Sequence, residues 1–462
     1  MSNQLLQAQA LYFEGNRLLG SNDLLGAQQS YRAAFELDPH FAEAAANLGY
    51  VAERLGDTQQ AEIYYLSALE LLPENVQLML NLGAMYLNQR RLSDAENLLR
   101  HALMLAPQVA SAWVNWGALQ ACLQQDEQAE SSYRRALQIE PENAKAKFNL
   151  SYILLRQGRM EEAWPYYEAR EQIQHLTRFF ISPRWQGETL RGKSIVVGFE
   201  AGHGDMIQFC RYAPLLKQGG AKHVAVVCHP GLKRLFQSLV DVDEIFSFQD
   251  DVSASAWDYW VPMMSLPLHF HTTLNTIPVH IPYLVAEPAL IEQWRPIIAR
   301  AGEGLRIGIV WQGNSRFESD SERSLASLAT FVPLATVPGI LLISLQKGAA
   351  EMQADHPPAG MSVLAVHHFI QDFADTAAAI AHLDLVITVD TAVAHLAGSM
   401  GKPCWLLLRY YRADWRWLTA RTDTPWYPSM RLFRQTNNED WNEVIAAVCI
   451  ALHQFVSDST IT

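Results

Sequence analysis

Two short segments hold the residue types from which a reaction centre could be built. The first is Glu200-Ala-Gly202-His203-Gly204-Asp205, directly after the β-branched run SIVVGF. Its glycines free the backbone to approach a ligand or a facing loop. Asp205 opens the following helical stretch, where a carboxylate satisfies an orphan N–H and gains from the helix dipole. A carboxylate in a crevice is equally suited to act as a general base. The loop is neither GxGxxG nor a phosphate loop with a lysine behind it. The second segment is Thr388-Val-Asp390-Thr391-Ala392-Val-Ala-His395. It follows a strand-like run and opens a helix, and a helix N-terminus at the carboxyl end of a strand is a ready anion site. Alone, Asp390 and Thr391 also read as a helix cap, and His395 as a packed core histidine.

The surrounding pattern positions both segments at strand ends. After SIVVGF, strand-like runs occupy His223–Cys228, 244–248 and 258–262, with helical patterns between them. A second series reads RIGIVW, ILLISLQ, MSVLAV, DLVITV and PCWLLL, with helical stretches at 372–383 and 391–400. Continuous apolar runs of this length are typical of buried parallel strands. The expected organisation is two Rossmann-like halves, 194–300 and 301–456, joined near 288–304 and ending in a helix over 440–455 and a tail, 457–462. A crevice between such halves lies at the carboxyl ends of the strands, where ligands bind.

The chain before residue 176 is a repeat. Pro39, Pro73, Pro107 and Pro141 stand 34 residues apart, as do Ala27, Ala61, Ala95, Ala129 and Ala163. Gly15, Gly49, Gly83 and Gly117 keep the same period, with Ser151 in the fifth slot, and so do Asn47, Asn81, Asn115 and Asn149. Tyr31, Tyr65, Leu99, Tyr133 and Tyr167 form the bulky column. These columns resemble the tetratricopeptide repeat family. The resemblance implies an α-solenoid over 1–175 in about five helix pairs, each burying its apolar face only against the next. A solenoid of this kind offers a groove for a protein or peptide. The asparagine column either holds a peptide backbone there or is simply solvated. Residues 176–193, with Pro183, Gly187 and Gly192, read as an inter-domain linker.

Taken together, the GxGD loop and the DTxxxHLA turn resemble the heptosyltransferase-like glycosyltransferases (family 9 type) of the GT-B fold. WQGNS, SLQKG, DFADTA, GKP, DWRW and WYPSMRLF extend the likeness over most of the remaining chain. The whole resembles bacterial proteins that join tetratricopeptide repeats to such a transferase. The resemblance implies an α-solenoid followed by a GT-B fold. It makes Asp205 the base that takes the acceptor's proton. It puts Asp390, Thr391 and His395 on the donor sugar and pyrophosphate, with Arg323, Gln346, Lys347, Asp375 and Thr376 on the nucleotide side. Gly202, His203, Gly204 and Asn314 become loop and phosphate contacts. Two positions depart from the family pattern. His203 stands where relatives usually carry an apolar residue, and Ala392 where many carry glycine. His203 is read as tuning Asp205, touching a phosphate, or neutral variation, and Glu200 as a bond to the loop backbone.

The expected activity is metal-independent, inverting transfer from a nucleotide-sugar co-substrate to an acceptor hydroxyl, with no cofactor. The acceptor is a polypeptide, such as flagellin or another surface protein, chosen by the repeats. Two alternatives stand beside it. One is a repeat scaffold or chaperone with a degenerate GT-B half, and the other is a lipopolysaccharide-core transferase. The net charge of −13 argues against broad phosphate neutralisation, so no nucleic-acid partner is expected. No apolar run is long enough for a transmembrane segment. No leader pattern opens the sequence, and the five cysteines form no pair spacing. The expected location is therefore cytoplasmic. Asp241-Val-Asp243 reads as turn chemistry. His269/His271 and His367/His368 lack a Cys or carboxylate constellation, so no metal is expected. Trp415 and Trp417 read as core or crevice wall.

Overall fold

The repeat columns sit where the two helices of each unit touch. In the computed structural model, which describes residues 3–250, 252, 257–315, 320–411, 413–436 and 440–459, Asn3–Gly20 pairs with Leu24–Leu37. Ala42–Arg54 then pairs with Thr58–Leu71, Val76–Asn88 with Leu92–Leu105, and Ala110–Cys122 with Asp126–Ile139. Glycine on the first helix meets the bulky residue on the second. A Cβ at Gly49 would lie 2.7 Å from the Tyr65 ring, at Gly83 2.8 Å from Leu99, and at Gly117 2.7 Å from Tyr133. Ala27, Ala61, Ala95 and Ala129 are fully buried. Asp23 and Asp57 cap their helices by accepting from the Gly26 and Gln60 amides. Two of the asparagines link neighbouring repeats. Asn115 is buried and donates to the Leu80 carbonyl at 3.1 Å, and Asn47 donates to Asn16 at 3.1 Å.

This packing decides the sign of a glycine substitution. In an open helix Gly→Ala stabilises by about 1 kcal/mol. At Gly49 the new methyl meets a fully buried ring that cannot retreat, and overpacking costs about 1–3 kcal/mol. Gly49→Ala is expected to lower the denaturation midpoint of the repeats. Gly20→Ala, with nothing within 4 Å, is expected to leave it unchanged or raise it.

The chain divides into two compact units, Met1–Ile153 and Leu154–Thr462, so the division falls before the expected 175. Helix Met160–Tyr167, the second helix of the fifth repeat, belongs to the second unit. Trp164 is 1% exposed, donates its indole N–H to the Thr272 carbonyl at 2.8 Å and packs edge-on to Trp415.

The second unit is built on parallel strands: β1 (Ser194–Gly198), β2 (His223–Cys228), β3 (Glu244–Ser247), β4 (Tyr259–Pro262), β5 (Leu305–Val310), β6 (Ile340–Ser344), β7 (Val363–Ala365), β8 (Leu385–Val389), β9 (Cys404–Leu408) and β10 (Met430–Arg434). They form a four-stranded sheet of order β3-β2-β1-β4 and a six-stranded sheet of order β10-β9-β8-β5-β6-β7. Every described pairing between these strands is parallel. Counted from its own first strand, the second sheet runs 3-2-1-4-5-6, the doubly wound order, with its switch point between β5 and β8.

Three of the expected connecting and terminal segments have structure of their own. Residues 176–193 are a packed segment, not a free linker. Phe180 stacks on Trp260 with centroids 5.1 Å apart, and the Trp185 amide donates to the Trp260 carbonyl at 2.8 Å. The join at 288–304 contains a helix, Pro288–Ile298. The last helix runs Asn442–Ser459 and so takes up part of the expected tail; residues 460–462 lie outside the described ones. Among the described residues no helix is long and apolar enough to cross a membrane.

Candidate functional site

The carboxyl ends of β5, β6 and β8 and the loop after β1 open onto one cavity of about 520 Å³. The loop contributes Gly202, His203, Gly204 and Asp205. The β5 end contributes Asn314 and, further on, Arg323. The β6 end contributes Gln346 and Lys347, and the β8 end Asp390, Thr391 and His395. Thr376 closes the wall beside Asp372 and Phe373. Twelve of the thirteen expected site residues therefore line one cavity, and Asp375 is the exception. Its buried carboxylate accepts from the Gln371 amide at 3.0 Å and from the Trp294 indole at 3.3 Å. Asp375 thus ties helix Phe373–Ala381 to helix Pro288–Ile298 and does not face the cavity.

Close approach shapes the loop. Helix His203–Phe209 packs against helix Ala392–Ser399 so closely that a Cβ on Gly204 would lie 2.8 Å from His395 Cδ2. Gly202, not Asp205, is the capping residue; Asp205 stands third in the helix, and its Oδ2 reaches back to accept from the Gly202 amide at 2.8 Å. Its other oxygen takes a hydrogen bond from Arg416. The sequence motifs did not single out Arg416 as a partner of Asp205. Its guanidinium also binds both carboxylate oxygens of Asp414 at 3.0 Å and the side chain of Gln208. Asp414 and Arg416 both line the cavity. A carboxylate has about four lone-pair sites, so two bonds leave Asp205 able to accept a third.

Asp390 is held from below by the Trp417 indole at 2.9 Å. Burial, with the Asp414 charge nearby, pushes its carboxyl above the usual range. His395 bonds the Tyr427 hydroxyl at 2.9 Å and stacks on Trp417. Burial, reinforced by Arg416, Arg211 and Arg323, holds it well below the usual histidine range, so it is a neutral ring. Thr391 starts helix Ala392–Ser399 without a side-chain cap, and its hydroxyl lies 3.0 Å from that of Thr388. That helix end presents amides and the positive pole of the dipole to the cavity. Trp415 and Trp417 are both fully buried core residues.

Gln346 is spent on structure. Its Oε1 accepts from the Trp311 and Gln312 amides at 3.0 Å, and its Nε2 donates to the Gln312 and Lys347 carbonyls. It clamps the turn after β5. Lys347 donates to the His367 carbonyl at 3.0 Å and pairs with Glu351 at 3.2 Å, with its side chain 45% exposed. Arg323 binds Asp320 at 3.0 Å. Glu200 does not bond the loop backbone as expected. It forms a buried ion pair with Arg170, each side chain at most 2% exposed, and accepts from the Met264 amide at 3.2 Å. Asp243 pairs with Lys217 and accepts from the Val224 amide, which is turn chemistry.

His203 stacks between His229, at 4.4 Å, and Phe373, at 5.1 Å. Burial, with His229 adding a smaller effect, pushes it down to about 4. Near neutral pH it is an uncharged plate, so it offers a phosphate no positive charge. Its titration has a predictable sign. The unfolded chain protonates this ring near pH 6.5 while the folded one resists until about 4, so stability is held above pH 6.5 and lost as pH falls through that window. His203→Phe, followed by urea midpoints across that range, is expected to show a shallower acid loss than the wild type.

The chain carries tetratricopeptide repeats: the family model described as Tetratricopeptide repeat matches residues 12–76 and 123–174. Protein FlbA of Caulobacter vibrioides is 27% identical over 340 residues, covering 67% of this chain and 55% of that protein. The chain thus spans about half the length of the curated relative it matches. Among solved structures, Pseudomonas aeruginosa pilF is 22% identical, with a TM-score of 0.34, over 36% of this chain and 77% of that one. MamA of Desulfovibrio magneticus RS-1 is 20% identical, with a TM-score of 0.33, over 39% of this chain and 99% of that one.

Proposed function

We propose that the second unit is a GT-B glycosyltransferase that moves a sugar, with inversion and without a metal, from a nucleotide-sugar to an acceptor hydroxyl. The observation behind this reading is the single cavity where the GxGD loop of one sheet faces the β5, β6 and β8 ends of a doubly wound sheet. Asp205 removes the acceptor proton. Arg416 and the Gly202 amide orient its carboxylate, and burial of the guanidinium among Asp414, Gln208 and Asp205 keeps that orientation fixed. The acceptor oxygen attacks the anomeric carbon as the nucleoside diphosphate departs on the opposite face. Charge grows on that diphosphate, and the start of helix Ala392–Ser399, Lys347 and Arg323 stabilise it. Asp390, raised by burial, and neutral His395 shape the sugar end.

The tetratricopeptide repeats bind a protein partner, which is the general task of such solenoids. In this reading that partner is the acceptor, a surface polypeptide. The test compares surface polypeptides, by mass spectrometry, from cells making the wild-type chain and from cells making Asp205→Asn. A glycan mass present only with the wild type supports the reading. A difference confined to a lipid-linked sugar would replace the acceptor class. No difference in either would favour a binding scaffold.

A further inference from the structure

Behind the Lys347 wall, outside the cavity, two adjacent histidines converge on a carboxylate that the sequence does not place beside them. We propose that Asp355, His367 and His368 form a binding site for a borderline divalent transition-metal ion of the zinc class. The donor atoms of the three residues lie within 4.8 Å of one another. His367 Nε2 stands 3.4 Å from Asp355 Oδ2, and His368 Nε2 stands 3.6 Å from the same oxygen. Around a tetrahedral zinc ion with ligands at roughly 2.0–2.1 Å, neighbouring donors stand about 3.3–3.4 Å apart. The two histidine–carboxylate separations are already near that spacing.

The second observation is the state of His367. Its side chain is 1% exposed, and neither ring nitrogen has a hydrogen-bond partner. A buried polar ring of this kind is costly unless something satisfies it. The Asp355 oxygen is close, yet the ring and the carboxylate do not align on each other. A cation at the point where the three donors converge would give the His367 Nε2 and the carboxylate a shared partner. Asp355 and His368 are 24% and 62% exposed on their side chains, which leaves a path for the ion and for waters to complete its shell. Two imidazoles and one carboxylate suit zinc, nickel, cobalt or copper. They do not suit magnesium or calcium, which take oxygen ligands.

The ion would join two turns. Asp355 follows the turn Glu351–Ala354, and the histidines open the turn His367–Phe369. Lys347 reaches across both, to the His367 carbonyl and to Glu351. The ion therefore fixes the ground on which a cavity lysine stands. It takes no part in the transfer itself, because none of its ligands lines the cavity.

The test uses the untagged full chain, freed of metal with a chelator, then titrated with zinc chloride against a chromophoric competitor. One equivalent is expected to bind. His368→Ala and Asp355→Asn are each expected to weaken binding at least tenfold, while His101→Ala, on an exposed repeat helix, leaves it unchanged. His368 is exposed, so its variant keeps its fold and the comparison stands. Cobalt in place of zinc is expected to give the visible absorption of a low-coordinate nitrogen and oxygen site, lost in His368→Ala. The proposal is overturned if no ion competes with the chelator. It is equally overturned if both variants bind one equivalent as tightly as the wild type.

Discussion

Asp205→Asn is expected to lower the turnover of sugar transfer by about 10²- to 10⁴-fold, the usual contribution of a positioned general base. Nucleoside diphosphate binding should be unchanged. The amide oxygen can still accept from the Gly202 amide, so the start of helix His203–Phe209 keeps its cap. What disappears is basicity, along with the charge opposite Arg416. A purely capping role gives the opposite pattern: a small loss of stability and a turnover within tenfold of the wild type. Steady-state rates read beside equilibrium binding separate the two. Gly202→Ala would not, because it disturbs the loop itself.

The largest stability effect is expected at Glu200. Its carboxylate and the Arg170 guanidinium are both buried, and Arg170 also reaches Ser265 and Glu168. Removing one partner strands a buried charge, which typically costs 3–5 kcal/mol. Arg170 keeps Glu168, so Glu200→Ala is placed at the lower end, about 3 kcal/mol. Glu200→Gln retains an acceptor and should lose less. Urea unfolding followed by tryptophan fluorescence reads the difference, and an unchanged midpoint in Glu200→Ala would show that the pair contributes nothing.

The repeats and the strand runs were legible because their signals are local. A period of 34 residues and unbroken apolar stretches each report on neighbours in sequence. The strand β10 was not anticipated. It lies at the sheet edge, and the arginines in Met430–Arg434 interrupt its apolar character. The two chemical loops were legible for a related reason: each sits directly after a strand, where a doubly wound sheet gathers its ligands. Partners far apart in sequence were not legible. Arg416 reaches Asp205 across 211 positions, and Glu200 finds Arg170 on a segment that reads as the edge of the repeats. Gln346 and Asp375 lie in motifs that carry the resemblance, but their polar atoms are consumed by backbone and indole partners. The carboxylate that His367 and His368 lack in sequence is supplied by Asp355 through the turn between β6 and β7.

The most direct test of the central claim, that the cavity is a nucleotide-sugar donor site, is thermal unfolding against ADP, UDP, GDP, CDP and CMP. A ligand at about 100 times its Kd adds about 2.7 kcal/mol. The account predicts that one nucleotide raises the transition of the wild type, and that Lys347→Ala and Arg323→Ala reduce the shift. Absence of a shift with every nucleotide would contradict it and leave the second unit as a scaffold.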